Sequence, residues 1–369
     1  MDNRTNQGEK NNMKINRQQL TDALAKVKPG LANNEMIEQS THFIFDDKII
    51  RTFSGEMAIT HQFDTGLVGA VPAKEFYSLF TKIPDEQIDA TQDGTKFIFK
   101  GKGRRVSFNI DPDIKITNIE AAGPQSKIWM KLPKNFCESI KYCSFSVSKN
   151  MTEPEMTCVA IDDHEAFSCD RVRATKIVME TNVDKPFLIP GAVAQILNNY
   201  NPHLYYLDDN WLHFINKEKT TFSCNRMDKE YPFEAIRRVF EFDGKKIQLP
   251  SGLKEILDRS KILVSNELDE KEASITFTKE KVICEASGIF GEIMEETESD
   301  YKDKDLKITI HPELLMEILQ RISTAIIGED KVLFKDDEGF EHVILLVPDD
   351  TEPPVQATKP KAKRSKKVK

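Results

Sequence analysis

The sequence contains no long apolar run, and this absence excludes helices that span a membrane. None of its hydrophobic stretches approaches the roughly 20 residues that a helix needs to cross a bilayer. Hydrophobic residues make up 39% of the 369 residues and charged residues 30%, the balance of a soluble globular protein. Residues 1–12 are polar and lack the apolar core of a signal peptide, so we predict a disordered leader and a cytoplasmic location without membrane contact.

Sequence motifs of common catalytic sites are missing as well. There is no Gly-x-x-x-x-Gly-Lys phosphate loop, no His-Glu-x-x-His zinc helix and no Gly-x-Ser-x-Gly nucleophile turn. The segment Asp162-Asp163-His164 could hold a metal, but paired aspartates between two predicted strands are ordinary turn residues. We therefore expect a protein that is not an enzyme and that uses neither a cofactor nor a metal.

The cysteines are few and scattered. No two of them form a Cys-x-x-Cys pair, and no histidine lies at metal-binding spacing beside them. This pattern predicts buried, reduced thiols of the kind found in cytosolic proteins. The six residues concerned are Cys137, Cys143, Cys158, Cys169, Cys224 and Cys284.

Acidic residues outnumber basic ones except at one end of the chain. The formal net charge is −8, but the stretch 357–369 carries seven positive charges and no negative one. Without these seven, 45 basic residues remain against 60 acidic ones, a net charge of −15. An acidic body argues against nucleic acid binding over the whole outer surface, but it permits a local basic lining. We predict a disordered basic tail over 351–369, which serves solubility, attracts phosphates or acts as a targeting signal.

Prolines recur at near-even intervals of about 60 residues, and each opens a similar segment. Apolar residues follow each proline at one-turn spacing, as Phe76, Leu79 and Phe80 follow Pro72. Proline is favoured at the first position of a helix, and the spacing predicts a helix with one buried stripe. A repeat of this length indicates an array of similar domains. The five prolines are Pro72, Pro133, Pro190, Pro250 and Pro312.

A sixth helix is predicted over Gln19–Lys28, where Leu20, Leu24 and Val27 share one face. Short alternating runs between the helices predict hairpins, at 96–108, 204–215, 273–286 and 332–347. Six helices, taken two at a time, predict an α+β fold of three similar domains, each with two helices packed on antiparallel sheets. We expect these domains at 13–125, 126–245 and 246–350.

Several short motifs, taken in order, resemble those of the bacterial DNA polymerase III beta sliding clamps. The resemblance runs from about Met13 to Asp350, and the ordered series is far more specific than any one part. Its main segments are Val71–Phe76, the hairpin Gly101–Phe108, Leu132–Ser146, Phe167–Ala174, Tyr231–Val239 and Ile262–Glu267.

The chain also departs from the family pattern in places that bear on its partners. Arg171-Val172 stands where the family has glycine-histidine, and the segment from Pro232 to Arg238 is two residues longer. Near the end, Val347-Pro348 is followed by acidic residues instead of the family's methionine-arginine-leucine. These differences indicate a divergent member, of phage or mobile-element type, whose partners differ from the usual ones.

The resemblance implies a ring-shaped homodimer that encircles double-stranded DNA without reading its sequence. Helices would line the hole, and basic side chains on them would meet phosphates in weak, salt-sensitive contacts that permit sliding. The helix near Gly191–Tyr200 has no basic residue, so the lining would be uneven. The candidate DNA-binding residues are Arg17, Lys26, Lys28, Lys74, Lys82, Lys134, Lys141, Lys149, Lys254, Arg259, Lys261 and Arg321.

Two protein interfaces are also implied by the resemblance. Ring closure would bring Val106 and Phe108 of one copy against Ile262 and Leu263 of the other. A pocket between the second and third domains would bind short extended peptides, anchored by leucine and phenylalanine, from a DNA polymerase and a clamp loader. Its lining would comprise Met156, Cys169, Val172, Arg173, Ala174, Pro232, Arg238, Val239, Leu314, Val347 and Pro348.

Two other function classes remain open at this point. The chain could be a clamp-fold scaffold that binds proteins without encircling DNA, which a monomer or a failure to stay on circular DNA would indicate. A hydrolase or nuclease is disfavoured by the missing motifs. Any single basic residue in the predicted lining could also be an ordinary solvated position on a helix, so only the set as a whole supports DNA binding.

Overall fold

The computed structural model describes residues 13–116, 129–264, 272–288 and 290–348, so the predicted leader and basic tail lie outside the described residues. The chain folds as two compact units. Of the described residues, the first unit comprises those within 13–239 together with Asp337–Glu341, and the second comprises those within 240–336 together with 342–348. The division into three domains at 125 and 245 stays a prediction.

The first unit begins with a strand that leads directly into a helix. Asn16 caps this helix, since its side-chain oxygen accepts a hydrogen bond from the Gln19 amide at 3.0 Å. Strands β1, β4, β5 and β6 form an antiparallel sheet in the order β1-β4-β5-β6. The elements are β1 Met13–Asn16, α1 Arg17–Val27, a 3-10 turn Lys28–Gly30, β2 His42–Phe53, β3 Met57–Pro72, α2 Ala73–Phe80, β4 Gln87–Asp93, β5 Lys96–Gly101 and β6 Arg104–Asn109.

The rest of the first unit contributes two more groups of strands. Strands β8 to β11 are ordered β11-β8-β9-β10, and a six-stranded sheet runs in the order β2-β3-β14-β13-β12-β7. The elements are β7 Met130–Lys131, α3 Phe136–Cys143, 3-10 turns Ser144–Ser146 and Pro154–Thr157, β8 Cys158–Asp162, β9 Glu165–Cys169, β10 Arg173–Val178, β11 Phe187–Pro190, α4 Gly191–Asn198, β12 Leu204–Leu207, β13 Trp211–Ile215, β14 Thr220–Asn225 and α5 Phe233–Val239.

The second unit repeats the same scheme. One sheet has the order β18-β17-β16-β19, and strands β15, β20, β21 and β22 follow the order β22-β21-β20-β15. The elements are β15 Lys245–Gln248, α6 Leu253–Leu263, β16 Ala273–Phe277, β17 Lys281–Gly288, β18 Gly291–Glu298, β19 Leu306–Ile310, α7 Pro312–Leu319, β20 Thr324–Ile327, β21 Lys331–Lys335 and β22 Phe340–Leu345.

The α+β prediction is confirmed, because helices and antiparallel sheets alternate along the chain. All six predicted helices are present, as α1, α2, α3, α4, α6 and α7, and the four predicted hairpins form between consecutive strands. The short helix α5 was not predicted as a helix. Among the described residues, no helix has the length and apolar character needed to cross a membrane.

The prolines mark the helix starts, but only one occupies the first helical position. Pro312 is the first residue of α7, whereas Pro72 and Pro190 end strands and act as N-caps. Pro133 and Pro250 lie three residues before their helices begin. The φ angles of −54° at Pro72 and −52° at Pro190 suit both the end of a strand and the entry to a helix. At Pro72 and at Pro190 the strand therefore passes directly into the following helix, without an intervening loop.

Each helix buries most of its predicted apolar stripe, and only Leu79, Ile196 and Leu319 among the predicted residues are half-buried. Leu20, Leu24 and Val27 of α1 are fully buried. In α2, the ring of Phe76 lies 4.5 Å from that of Phe80 and 5.5 Å from that of Phe45 on β2, measured between ring centroids. Full burial of such a side chain contributes about 1.5–3 kcal/mol. The opposite face of each helix is left for solvent or a ligand.

Candidate nucleic-acid and partner-binding surfaces

The six predicted lining helices are electrically neutral as a set, in contrast to the acidic chain. They carry seven basic and seven acidic residues, and α4 carries none of either kind. Further predicted cations follow or precede the helices, at 28, 82, 134, 149 and 321. The six helices thus carry less negative charge than the rest of the chain. They should therefore repel a polyanion less than the other parts of the surface do.

Six of the predicted DNA-binding cations make no ion pair within the described residues. Three of them, Lys74, Lys82 and Lys149, are exposed. The Lys28 ammonium lies 4.7 Å from the ring centroid of Tyr77, and the Lys141 ammonium lies 5.8 Å from that of Tyr142. A tyrosine face holds a cation without neutralising it, so its charge stays available. The six residues are Lys28, Lys74, Lys82, Lys141, Lys149 and Lys254.

Five other predicted cations are paired with carboxylates of the same unit. Their N–O distances range from 2.5 to 3.1 Å. Ion pairs of this kind at the surface contribute little free energy, so a phosphate can compete for the cation. The pairs are Lys26–Glu218, Lys134–Glu180, Arg259–Glu295, Lys261–Asp258 and Arg321–Asp336.

Arg17 differs from both groups. Its guanidinium donates a hydrogen bond to the side-chain oxygen of Gln18 at 2.9 Å, and its buried Nε has no hydrogen-bond partner in the described structure. This arginine is therefore partly withdrawn from the surface.

Strand β6 is the outermost strand of its sheet and carries the first pair of predicted interface residues. Val106 and Phe108 are half-buried. The ring of Phe108 packs 4.9 Å from that of Phe76, so this residue belongs to the core as well as to the edge. Arg104 and Arg105 are exposed on the same strand; Arg104 is paired with Asp85 at 2.9 Å, whereas Arg105 makes no ion pair in the described residues and gives this edge a basic group.

The second pair of predicted interface residues lies in the other unit, close to another strand that ends its sheet. Ile262 on α6 is 71% exposed, while Leu263 is half-buried. Strand β18 ends its sheet and exposes Met294, with Phe290 exposed just before it. Strand β18 carries four glutamates, of which Glu295 and Glu296 are paired with Arg259 and Lys281, so Glu292 and Glu298 make this edge acidic.

The turn between β9 and β10 contains the central residues of the predicted peptide pocket. Asp170 organises this turn, because its Oδ1 accepts hydrogen bonds from the amides of Val172 at 3.2 Å and Arg173 at 3.0 Å. Arg173 donates from Nε to Asp170 at 2.8 Å and from Nη2 to the Phe145 carbonyl at 2.5 Å. With its side chain only 12% exposed, Arg173 holds the turn together.

Arg171 points away from this network. Its φ angle of +75° explains why a glycine fits the same place in the family pattern, since glycine adopts that conformation without strain. The guanidinium donates hydrogen bonds to both carboxylate oxygens of Glu153, with an Nε–Oε2 distance of 2.8 Å. The Val172 side chain beside it is 49% exposed.

The predicted pocket residues on or just before helix α5 are exposed or half-buried. Pro232 and Arg238 are exposed, and Arg238 makes no ion pair in the described part of the chain. Arg237, which sequence reasoning did not single out, donates to Asp162 at 2.8 Å and to Glu165 at 2.9 Å. This arginine fastens α5 to strands β8 and β9.

The remaining pocket residues differ in exposure. Met156, Cys169 and Ala174 are buried and support the surface from below, while Val239 is half-buried. Within the second unit, Leu314 and Val347 are half-buried, and Pro348 is exposed. The Val347 amide donates to the Thr309 carbonyl at 2.8 Å, which fixes the backbone of this segment.

Comparisons with solved structures establish the fold. The DNA polymerase III beta chain of Streptococcus pneumoniae superposes with a TM-score of 0.79 at 16% identity, covering 92% of this chain and all of that one. The beta subunit of Pseudomonas aeruginosa gives 0.78 at 15% identity, with 91% and 100% covered. This chain has the DNA polymerase III beta subunit fold. A sliding clamp of Pseudomonas aeruginosa bound to griselimycin matches with a TM-score of 0.79 at 14% identity, covering 91% of this chain and 99% of that one.

Sequence comparison alone does not detect the similarity to the beta subunits. No family model matches the chain, and no curated protein matches it.

The beta subunit fold of this chain also contains a buried Asp-His-Ser arrangement. His213 bonds to Asp208 through Nε2 at 2.9 Å and to the Ser223 hydroxyl through Nδ1 at 2.8 Å. Because Ser223 is fully buried on strand β14, a substrate has no access to its hydroxyl. The arrangement therefore ties β12, β13 and β14 together. The separation of five positions between Asp208 and His213 gave no signal for it in the sequence.

The other polar and thiol groups fit the sequence expectations in part. The Asp162–His164 segment is a turn in which Asp163 has a φ of +51° and bonds to His164 at 2.8 Å. All six cysteines are free, and five are buried, whereas Cys137 is half-buried. Burial raises the pKa of Cys137 and of Cys158 to about 11.

Proposed function

We propose that the chain is a DNA sliding clamp, a non-catalytic processivity factor of the cytoplasm. Two copies would form a ring around duplex DNA and tether a polymerase and a clamp loader through short peptides. One observation carries the proposal: the fold agrees with DNA polymerase III beta subunits over 91–92% of this chain and over their entire length. A ring holds DNA by linkage, which keeps a tethered polymerase at high effective concentration.

The edge strands β6 and β18 support ring closure. Among the described residues each has a neighbouring strand on one side only, so the backbone groups of its other side offer a template for another strand. On the β6 edge Arg105 makes no ion pair in the described residues, and on the β18 edge the same holds for Glu292 and Glu298. Joining β6 of one copy to β18 of the next would bring opposite charges together, and two such contacts close a ring. The exposed side chains of Ile262 and Met294 would then become buried.

The six unpaired lysines support contact with the DNA backbone. Their charges lie on or beside the helices, and none is needed to balance a carboxylate in the described residues. Contacts of this kind release counterions from DNA, so that retention should fall steeply with salt. The five paired cations would add to the binding only by exchanging a carboxylate for a phosphate.

The turn after β9 and the exposed part of α5 support the peptide site. Val172, Pro232 and Arg238 present apolar surface together with an unpaired cation, and the buried residues around Arg173 hold the turn rigid. A rigid apolar surface with a few polar groups suits an extended peptide.

The test is topological. The purified protein would be loaded onto nicked circular DNA and onto the same DNA after linearisation, and the retained fraction measured by gel filtration. A clamp stays on the circle and leaves the linear form, and in solution its mass is twice the 42.2 kDa of one chain. A monomer, or equal retention on both forms, would contradict the proposal.

A second candidate is the clamp-fold scaffold that binds proteins without encircling DNA. The neutral charge of the six helices and the five paired cations favour it, since a DNA channel works best with an excess of free positive charge. Peptide binding by a chain that is lost equally from circular and linear DNA would identify this scaffold.

A further inference from the structure

We propose that Arg171 is a residue of the partner site that binds a carboxylate. In the free protein its guanidinium binds Glu153, and when the partner arrives it exchanges Glu153 for an acidic side chain of the incoming peptide. This rests on the proposed function, and it adds a chemical class to the partner: a peptide that carries a carboxylate beside its apolar anchors.

The backbone of the turn places the Arg171 side chain outward. A φ of +75° is a conformation that residues other than glycine rarely adopt. The turn keeps it because Asp170 accepts the amides of Val172 and Arg173, and because the Arg171 amide points at the Cys169 sulfur at 3.4 Å. The backbone conformation of Arg171 is therefore fixed by its neighbours and does not depend on which group its guanidinium binds.

The other charged groups of the turn are not free to exchange partners. Arg173 and Asp170 bind each other and are only 12% and 17% exposed. Arg173 also donates to the Phe145 carbonyl. If either residue took another partner, the other would keep a nearly buried charge without a partner, and this would destabilise the folded state.

The Arg171–Glu153 pair is different, because water reaches both partners. The Arg171 side chain is 68% exposed and that of Glu153 is 31% exposed. Exposed ion pairs are worth little net free energy, so another carboxylate can replace Glu153. The hydrogen bond from Arg171 lowers the pKa of Glu153, and this carboxylate is therefore charged at neutral pH and competes with an incoming one.

The surroundings of Arg171 fit an extended peptide. Val172 follows directly, is 49% exposed and offers an apolar contact one residue away from the cation. The fork of the guanidinium can receive a carboxylate through two parallel hydrogen bonds, as it receives Glu153 now. The site thus combines apolar anchoring with selection for one negative charge.

The test uses a series of synthetic peptides with a leucine and a phenylalanine anchor. One glutamate is placed at each flanking position in turn, and each peptide has a glutamine-matched control. Dissociation constants are measured by fluorescence anisotropy at low salt for the full-length chain and for two variants, Glu153→Gln and Arg171→Gly. Glycine suits the local φ, so the second variant should keep the turn.

At one position, the glutamate peptide should bind the original chain about two- to fivefold more tightly than its glutamine control. Glu153→Gln should tighten binding of that glutamate peptide by a similar factor and leave the glutamine peptide unchanged. Arg171→Gly should remove the difference between the two peptides. Lys219→Gly is the matched control, since it removes a cation from another exposed turn, where φ is +59°, and it should change nothing.

The outcomes separate the two proposals. If the peptides bind but glutamate and glutamine versions bind equally in every variant, the role of Arg171 is wrong and the peptide site stands. If none of the peptides binds, the peptide site itself is overturned, and the role of Arg171 falls with it.

Discussion

Tyr200, just after α4, donates its hydroxyl hydrogen to the backbone carbonyl oxygen of Lys26 near the end of α1. The last carbonyls of a helix have no partner within the helix, and this side chain supplies one from 174 residues away. Burial raises the pKa of Tyr200, so the hydroxyl keeps its proton and remains a donor throughout the ordinary pH range. The bond joins the helices that the sequence assigns to the first and second domains.

Tyr200→Phe should lower the free energy of unfolding by about 1 kcal/mol, because the Lys26 carbonyl loses its partner while the ring keeps its packing. Urea unfolding followed by circular dichroism measures this difference. Tyr206→Phe is the control: that half-buried ring stacks on His213, and its hydroxyl makes no hydrogen bond in the described structure. Equal effects of the two variants would show that the bond to Lys26 is unimportant.

Reversing the charge of Lys141 and Lys254 together should weaken retention on circular DNA and make it less dependent on salt. Both lysines lack an ion pair among the described residues, so each is free to bind a phosphate. If both contact phosphates, the slope of log affinity against log salt should decrease by about 0.9 for each lost contact. Retention measured between low and physiological salt gives the slope.

The control for this pair reverses Lys185 and Lys246, two exposed lysines away from the helices. It changes the net charge by the same amount and should leave most of the salt slope intact. A helix variant whose slope equals that of the original chain would exclude these two lysines from the DNA contact.

Arg173 and Arg238 should respond differently to alanine substitution, although the resemblance assigns both to the peptide pocket. Arg238→Ala removes an exposed side chain and should weaken binding of a leucine-phenylalanine peptide without changing the melting temperature. Arg173→Ala leaves Asp170 unpaired at 17% exposure and should lower the free energy of unfolding by about 1–3 kcal/mol. Peptide affinity and thermal melting of both variants separate binding from stability. Unchanged peptide affinity in Arg238→Ala would remove this residue from the site.

The Asp208–His213–Ser223 network should make stability fall in acid. Partial burial raises the pKa of Asp208, but hydrogen bonds from His213 and from the Asn210 and Trp211 amides outweigh it, and the net pKa lies below the ordinary 3.8. A lowered folded-state pKa gives stability that is complete above 3.8 and lost as the pH falls through the folded value.

Unfolding free energies measured between about pH 5 and pH 2.5 test this expectation. Asp208→Asn should reduce the acid dependence, because an amide does not titrate. Asp209→Asn changes an exposed neighbour and should leave the acid dependence as it is. An identical pH profile for all three proteins would mean that Asp208 does not contribute to acid unfolding.

The fold could be predicted well because its signal is local and repeated. Leu20, Leu24 and Val27 share a face by spacing alone, and the structure buries all three. The placement of Pro72 as a cap instead of a first helical residue was missed, because spacing does not show where a strand ends.

The candidate sites depend on contacts between distant parts of the chain, which spacing does not reveal. Arg171 meets Glu153 across 18 residues, and Arg237 meets Asp162 across 75. The hydrogen bond from Arg173 to the Phe145 carbonyl spans 28 residues, and the pair of Lys26 with Glu218 also joins distant segments. The order of the motifs located the turn between β9 and β10 in the sequence. Which of its side chains face solvent could be learned only from their burial in the structure.

The buried state of the thiols has a practical consequence for labelling. A thiol attacks a maleimide only as its thiolate, and burial raises the pKa of every one of the six cysteines above the ordinary value. A single cysteine introduced at an exposed position should thus react with a fluorophore far faster than the native ones. If the chain forms the proposed ring, the opening of that ring and its passage along a duplex could then be followed on otherwise unaltered protein.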